Sequence, residues 1–167
     1  DLEEFTYEGY GPGNMAVYVE IVTDNRNRIS AEMKHLFSKA GGNLGASGSV
    51  AWMFDKKGQI VVERTALMDE DEVMMQALDA GAEDFVAQED VFEIYTSPAE
   101  FSKVREALES AGYTFLKAEV AMIPQNTVNI TDPEVVEKVN KFLDNLDDND
   151  DVQEVFHNAI LPEEDEE

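Results

Sequence analysis

The chain has 167 residues, with 37 Asp and Glu against 12 Lys and Arg, and a net charge of −25. It has no Cys and only two His, which excludes disulfide scaffolds, thiolate zinc or iron–sulfur centres, Cys nucleophiles and His-rich metal sites. No apolar run reaches the ~18 residues of a membrane span, and a body this acidic repels phosphate backbones, so any nucleic-acid contact has to be local or made by a part outside these residues.

Residues 5–14 are aromatic and then rich in Gly and Pro, which predicts a short strand running into a tight loop. Met15 to Thr23 is almost unbroken β-former and predicts a central strand covered on both faces. Asp24 to Arg28 supplies turn and N-cap chemistry for a helix to about Ala40, with Ile29, Met33, Leu36, Phe37 and Ala40 on one apolar stripe. Gly41-Gly42 stops it. Gly41 to Ser49, with four Gly, reads as a flexible loop. Val50–Phe54 and Gln59–Glu63 read as strands separated by a turn at Asp55–Gly58.

Asp69 to Ala80 is a predicted helix, with Asp69 and Glu72 at capping-box spacing, Met74-Met75 in its core and Gly81 at its stop. Asp84–Ala87 and Val91–Thr96 read as two strands. Ser97-Pro98-Ala99-Glu100 starts a helix that buries Phe101, Val104, Leu108 and Ala111, and Thr114–Ile123 is a strand. Gln125–Ile130 is a further β candidate. Thr131-Asp132-Pro133-Glu134 opens a helix with Val135, Val136, Val139, Phe142, Leu143 and Leu146 on its buried face. Asp147–Asp151 is an acidic turn, Val152–Ala159 a strand, and 161–167 a solvated, disordered acidic tail.

From 59 to 123 the order is β-α-β-β-α-β, a ferredoxin-like arrangement. Residues 1–58 and 124–160 are each too small for a comfortable core. Together they can form a second α/β layer pair, into which 59–123 is inserted, although the element order by itself also allows three pieces in series. The expected class is α+β, with two α/β domains, one of them discontinuous.

Catalytic patterns are missing. His35 and His157 have no Ser or Asp at triad spacing, and no phosphate-binding loop, zinc-protease or dinucleotide motif is present. The Gly41–Ser49 loop leads from helix to strand, the reverse of a phosphate cradle. Asp147–Asp151 fails the calcium-loop pattern, because Val152 and Asn158 stand where Gly and Glu belong. No cofactor, metal or enzymatic activity is expected.

The distribution of cations says more. Arg26, Arg28, Lys34, Lys39, Lys56 and Lys57 all fall in residues 24–58, beside only Asp24, Glu32 and Asp55. Arg26 and Arg28 sit at a helix N-terminus, where the backbone dipole prefers acids, which points equally to an external anionic partner and to ordinary pairing with the acidic remainder of the chain. The six are the candidate nucleic-acid or ribosome contacts.

Four runs and the ending carry a resemblance: Tyr7 to Gly13, Thr23 to Arg28, Phe37 to Gly45, Gly48 to Ala51, and Asp148 to Asn158. They resemble the YebC/PmpR family in order and over essentially the whole chain. The resemblance implies the two-domain fold with a ferredoxin-like insertion and a cytoplasmic, DNA-binding transcriptional regulator. Family members are also associated with translational activation at the ribosome, through relief of stalling at proline-rich stretches. It further implies a basic helical domain ahead of residue 1, so the chain is expected to be part of a longer protein. Partners implied are DNA or ribosomal RNA, held mainly by that domain and secondarily by the 26–57 segment. A basic protein partner is a further possibility on charge grounds, and no membrane contact is expected.

Overall fold

The computed structural model describes residues 1–162. It has mixed α and β content and divides into two compact units, one of Asp1–Asp55 with the segment from Pro124 onward, the other of Lys56–Ile123.

The first unit is built on a four-stranded sheet. β1 (Glu3–Tyr10) and β2 (Ala16–Thr23) form an antiparallel hairpin in register from Glu3 opposite Thr23 to Tyr10 opposite Ala16. β3 (Asn43–Leu44) adds to the outer edge of β1, and β9 (Val152–His157) pairs antiparallel with β2. Helices α1 (Arg26–Lys39) and α4 (Pro133–Asp147) contribute to its core. Val17, Val19 and Ile21 of β2 join Ile29, Met33 and Phe37 of α1 and Val139, Phe142 and Leu146 of α4 in one buried cluster. The rings of Phe37 and Phe142 meet edge to face, 5.1 Å apart, a favoured aromatic geometry. β2 is interior in its sheet, yet only one face is fully buried. Tyr18, Glu20 and Val22 on the other face are half-buried, so the double coverage expected for this strand is not found. Two short strands, β8 (Val128–Asn129) and β10 (Ala159–Ile160), pair in parallel. Asn158 joins these pieces: its Oδ1 accepts from Ala16 N at 2.8 Å and its carbonyl accepts from Val128 N at 2.8 Å.

The second unit runs β4 (Phe54–Glu63, entering from the first unit), α2 (Glu70–Ala80), β5 (Asp84–Ala87), β6 (Val91–Thr96), α3 (Phe101–Ser110) and β7 (Lys117–Pro124, whose last residue lies in the first unit). Its strand order is β5-β6-β4-β7, the ferredoxin-like order. Ile60, Val62, Phe92 and Ile94 from the sheet pack with Val73, Ala77, Val104 and Leu108 from the helices.

Local corrections have local causes. Asp55–Gly58 is not a turn but part of the continuous strand β4. Gly58 serves close approach instead: a Cβ there would lie 2.1 Å from Thr96 Oγ1. Helix α2 is capped by Asp69, whose side chain accepts from Asp71 N, and Met75 on it is exposed, not core. Ser97 Oγ does accept from Glu100 N, but Ala111 is exposed. In α4 the cap is Asp132, one residue later than Thr131, with Pro133 in the first turn. Leu161 packs partly against the first core, unlike a solvated tail, and 163–167 lie outside the described residues.

The expected flexible loop is a built structure. Within Gly41–Ser49, β3 hydrogen-bonds to β1, and a Cβ on Gly42 would lie 2.1 Å from the Tyr10 carbonyl oxygen. Gly45 N donates to Glu8 O at 2.9 Å. The Glu8 side chain, 3% exposed, accepts from Val50 N at 2.8 Å and Ala51 N at 2.9 Å. Those two N–H groups open the 3-10 turn Ala51–Met53, which would otherwise leave them unpaired. Glu8→Ala is expected to cost about 3 kcal/mol, because it orphans two N–H groups that the Glu8 side chain now satisfies, and Glu8→Gln about 1 kcal/mol. Urea denaturation followed by Trp52 fluorescence measures both; equal stability of all three proteins would show that the carboxylate does not hold the loop.

Candidate functional site

The six candidate cations fall into two classes. Arg26 lies 3.4 Å from Glu3 and stacks over Phe5 at 4.6 Å from the ring centroid. Arg28 reaches Asp151 at 2.5 Å, Asp24 at 3.4 Å and Glu32 at 3.8 Å. Lys57 pairs with Glu83 at 3.2 Å. These three are engaged by the chain's own carboxylates. Lys34, Lys39 and Lys56 are exposed, and none has a carboxylate within ion-pairing distance among the described residues. Lys34 and Lys39 lie on α1, about 140° apart around the helix at ~100° per residue. Lys56 and Lys57 belong to the other unit.

The two arginines at the start of α1 therefore have an internal explanation. Asp151, from the turn between α4 and β9, accepts from Arg28 and from Thr23 Oγ1 at 2.8 Å. Asn149 of the same turn donates to Glu32 at 2.9 Å. Cations at an unfavourable helix end are thus balanced by carboxylates brought from as far apart as residues 3 and 151. Around this network lies an open cavity of about 650 Å³, lined by Asp24, Glu32, Asp148, Asp150 and Asp151, with Arg28 its one lining cation. Its potential disfavours phosphate.

A second cavity in the same unit has the opposite character. About 280 Å³ in volume, it lies between the C-terminal turn of α1 and the middle of α4. Lys39, Lys138 and Lys141 line it with Leu36, Phe142 and Asn145, and no carboxylate does. All three lysines are exposed and without an ion-pair partner among the described residues. Lys138 and Lys141 were outside the sequence-based set. Their only signal there is a position off the Val135/Val139/Phe142/Leu146 stripe, which any solvated lysine shares.

His35 is exposed on α1. His157 is half-buried, and the desolvation pushes its pKa below the usual value; its Nδ1 accepts from Ala159 N at 3.1 Å. In the second unit, burial first and then Glu93 raise Tyr95 to about 12. No group of three or more His, Cys, Asp or Glu among the described residues could hold a metal ion, and no helix there is long and apolar enough to cross a membrane.

The Arg28 hydrogen bond, followed by that of Thr23, holds the Asp151 carboxyl below its ordinary value. A depressed carboxyl contributes stability that is complete above the ordinary Asp range and is lost as pH falls through the lowered value. Arg28→Met is therefore expected to lower the melting temperature slightly at pH 7, a gap that closes as the pH drops below about 4. Melting curves from pH 7 to pH 2.5 measure this; a gap independent of pH would show that Arg28 acts through packing alone.

Comparison with known proteins places this geometry in a family. Residues 2–159 match the family described as TACO1/YebC second and third domain. A "Probable transcriptional regulatory protein" of Acetivibrio thermocellus is 58% identical over 158 residues, covering 95% of this chain and 65% of that protein. A similarly named protein of Clostridium novyi is 59% identical over 162 residues, covering 97% and 65%. The crystal structure of a conserved hypothetical protein from Aquifex aeolicus superposes with a TM-score of 0.84 at 47% identity, over 98% of this chain and 67% of that one. The chain thus spans about 65% of the length of these two named relatives. A built Glu8-anchored loop, a ferredoxin-like unit and a match over nearly every described residue lead to one assignment: the chain belongs to the TACO1/YebC family, across that family's second and third domains.

Proposed function

We propose that this chain is part of a non-enzymatic gene-expression regulator that contacts nucleic acid through local cationic positions. The reading rests on one observation above the rest: on a chain of net charge −25, Lys34, Lys39 and Lys56 stay exposed and without a carboxylate partner among the described residues. An acidic surface would be expected to supply partners for stray cations, so cations left open are available to phosphate. The names of the Acetivibrio and Clostridium relatives support the regulatory part of the reading. Arg26, Arg28 and Lys57 have a different task in it, since each serves the chain's own acids.

Affinity for duplex DNA and for RNA, measured by anisotropy between 25 and about 200 mM salt, tests the reading. Removing one phosphate-binding cation lowers the log–log salt slope by about 0.9 for duplex and about 0.7 for single strands. Changing Lys34, Lys39 and Lys56 together to Gln is expected to lower the slope by about 2 to 3, with thermal stability unchanged. Binding that ignores both salt and the substitutions would sink the proposal. Co-sedimentation with ribosomes, run beside the duplex assay, decides which nucleic acid is the target.

A further inference from the structure

We propose that the cavity between α1 and α4 is a phosphate-binding pocket that takes one nucleotide of an unpaired nucleic-acid strand, with Lys39, Lys138 and Lys141 as its cations. The assignment rests on the nucleic-acid reading above and adds to it two residues and a place.

Charge is the first argument. The chain carries 37 acids to 12 cations, yet this cavity is lined by three lysines and no carboxylate. Local pairing was open to two of them. Glu134 precedes Lys138 by four residues and Glu137 precedes Lys141 by four, the spacing and direction that favour an ion pair along a helix. Neither pair forms; the cations line the cavity instead. Three ammonium groups around one concavity would repel each other, and a phosphate relieves that repulsion as a point-charge acceptor for lysine.

The remaining lining fits the same ligand. The last turn of α1 would present carbonyl oxygens, which an anion avoids, but those of Leu36, Phe37 and Ser38 already accept from Ala40, Gly42 and Gly41 N–H. Asn145 adds a neutral hydrogen-bonding group, and Leu36 and Ala40 add apolar surface. A volume of about 280 Å³ falls just below the usual range for small-molecule pockets, ~300–1,000 Å³, and is concave. A smooth duplex backbone offers nothing to fill it, whereas an unpaired strand can turn one nucleotide inward.

The test uses the whole chain and a fluorescent ten-nucleotide oligouridylate at low salt, with a DNA duplex of equal charge and a polyglutamate peptide as parallel probes. Lys138→Gln with Lys141→Gln is expected to weaken oligouridylate binding at least ten-fold and lower its salt slope by about 1.4. Duplex binding should change less than about three-fold, and unchanged melting curves would confirm an intact fold. Lys138→Glu alone should weaken strand binding more than Lys138→Gln does. If the wild-type chain binds the strand and the double variant binds equally well, the pocket assignment is overturned while the nucleic-acid reading stands. If the wild-type chain binds neither strand nor duplex, both fail. If polyglutamate binds in preference and loses affinity in the variant, the pocket belongs to an acidic protein segment and the proposal is overturned.

Discussion

The edge-to-face contact between Phe37 and Phe142 is the constraint on which the first unit turns. One ring comes from α1 and the other from a helix more than a hundred residues later, and both are essentially inaccessible to water. Losing a ring of this kind from a packed core typically costs 3–5 kcal/mol, a large share of the stability of any domain this size. The same contact fixes α1 and α4 against one sheet face. It thereby decides which polar residues on their outer flanks come close, Lys39 and the Lys138–Lys141 pair among them. The position of Gly11 shows how tightly this region is set, since a Cβ there would lie 2.9 Å from the Phe142 ring.

Electrostatics in so acidic a chain works mainly by rationing cations. Each surface pair contributes little, usually 0–1 kcal/mol, so their effect lies less in total stability than in arrangement. Arg28 gathers Asp24, Glu32 and Asp151 at one end of α1, and Arg26 covers Phe5 while meeting Glu3. Glu8 does the reverse inside the protein. There a buried Glu side chain has no ion-pair partner among the described residues and is satisfied by backbone N–H groups of the turn that follows the Gly-rich loop. The buried acid and its loop are therefore interdependent, which is why a segment with four glycines is built rather than slack.

Much of the architecture was legible because its signals are local. An N-cap within Asp24–Arg28, Gly41 and Gly81 as left-handed stops, the strands 84–87 and 91–96, and the β-α-β-β-α-β order all follow from chemistry within a few residues. Misreadings arose where a local signal was answered by something distant. Gly58 looked like a turn because its need for no Cβ comes from Thr96, across the sheet. The 41–49 loop looked slack because its anchor is Glu8, forty residues earlier. The helix-end arginines left internal pairing and an external partner equally open, because Asp151 is more than a hundred residues away in sequence.

The candidate site divides along the same line. Residue type and charge count are properties of the chain itself, so the excess of acids, the cation-rich stretch from 24 to 58 and the lack of thiol chemistry were determined before folding. Whether a given lysine or arginine is occupied depends on distances between groups far apart in sequence, and a Coulomb interaction in water fades within about a nanometre. Only the packing of α1 on α4 could assign Arg28 to an internal partner, leave Lys39 open, and bring it to Lys138 and Lys141.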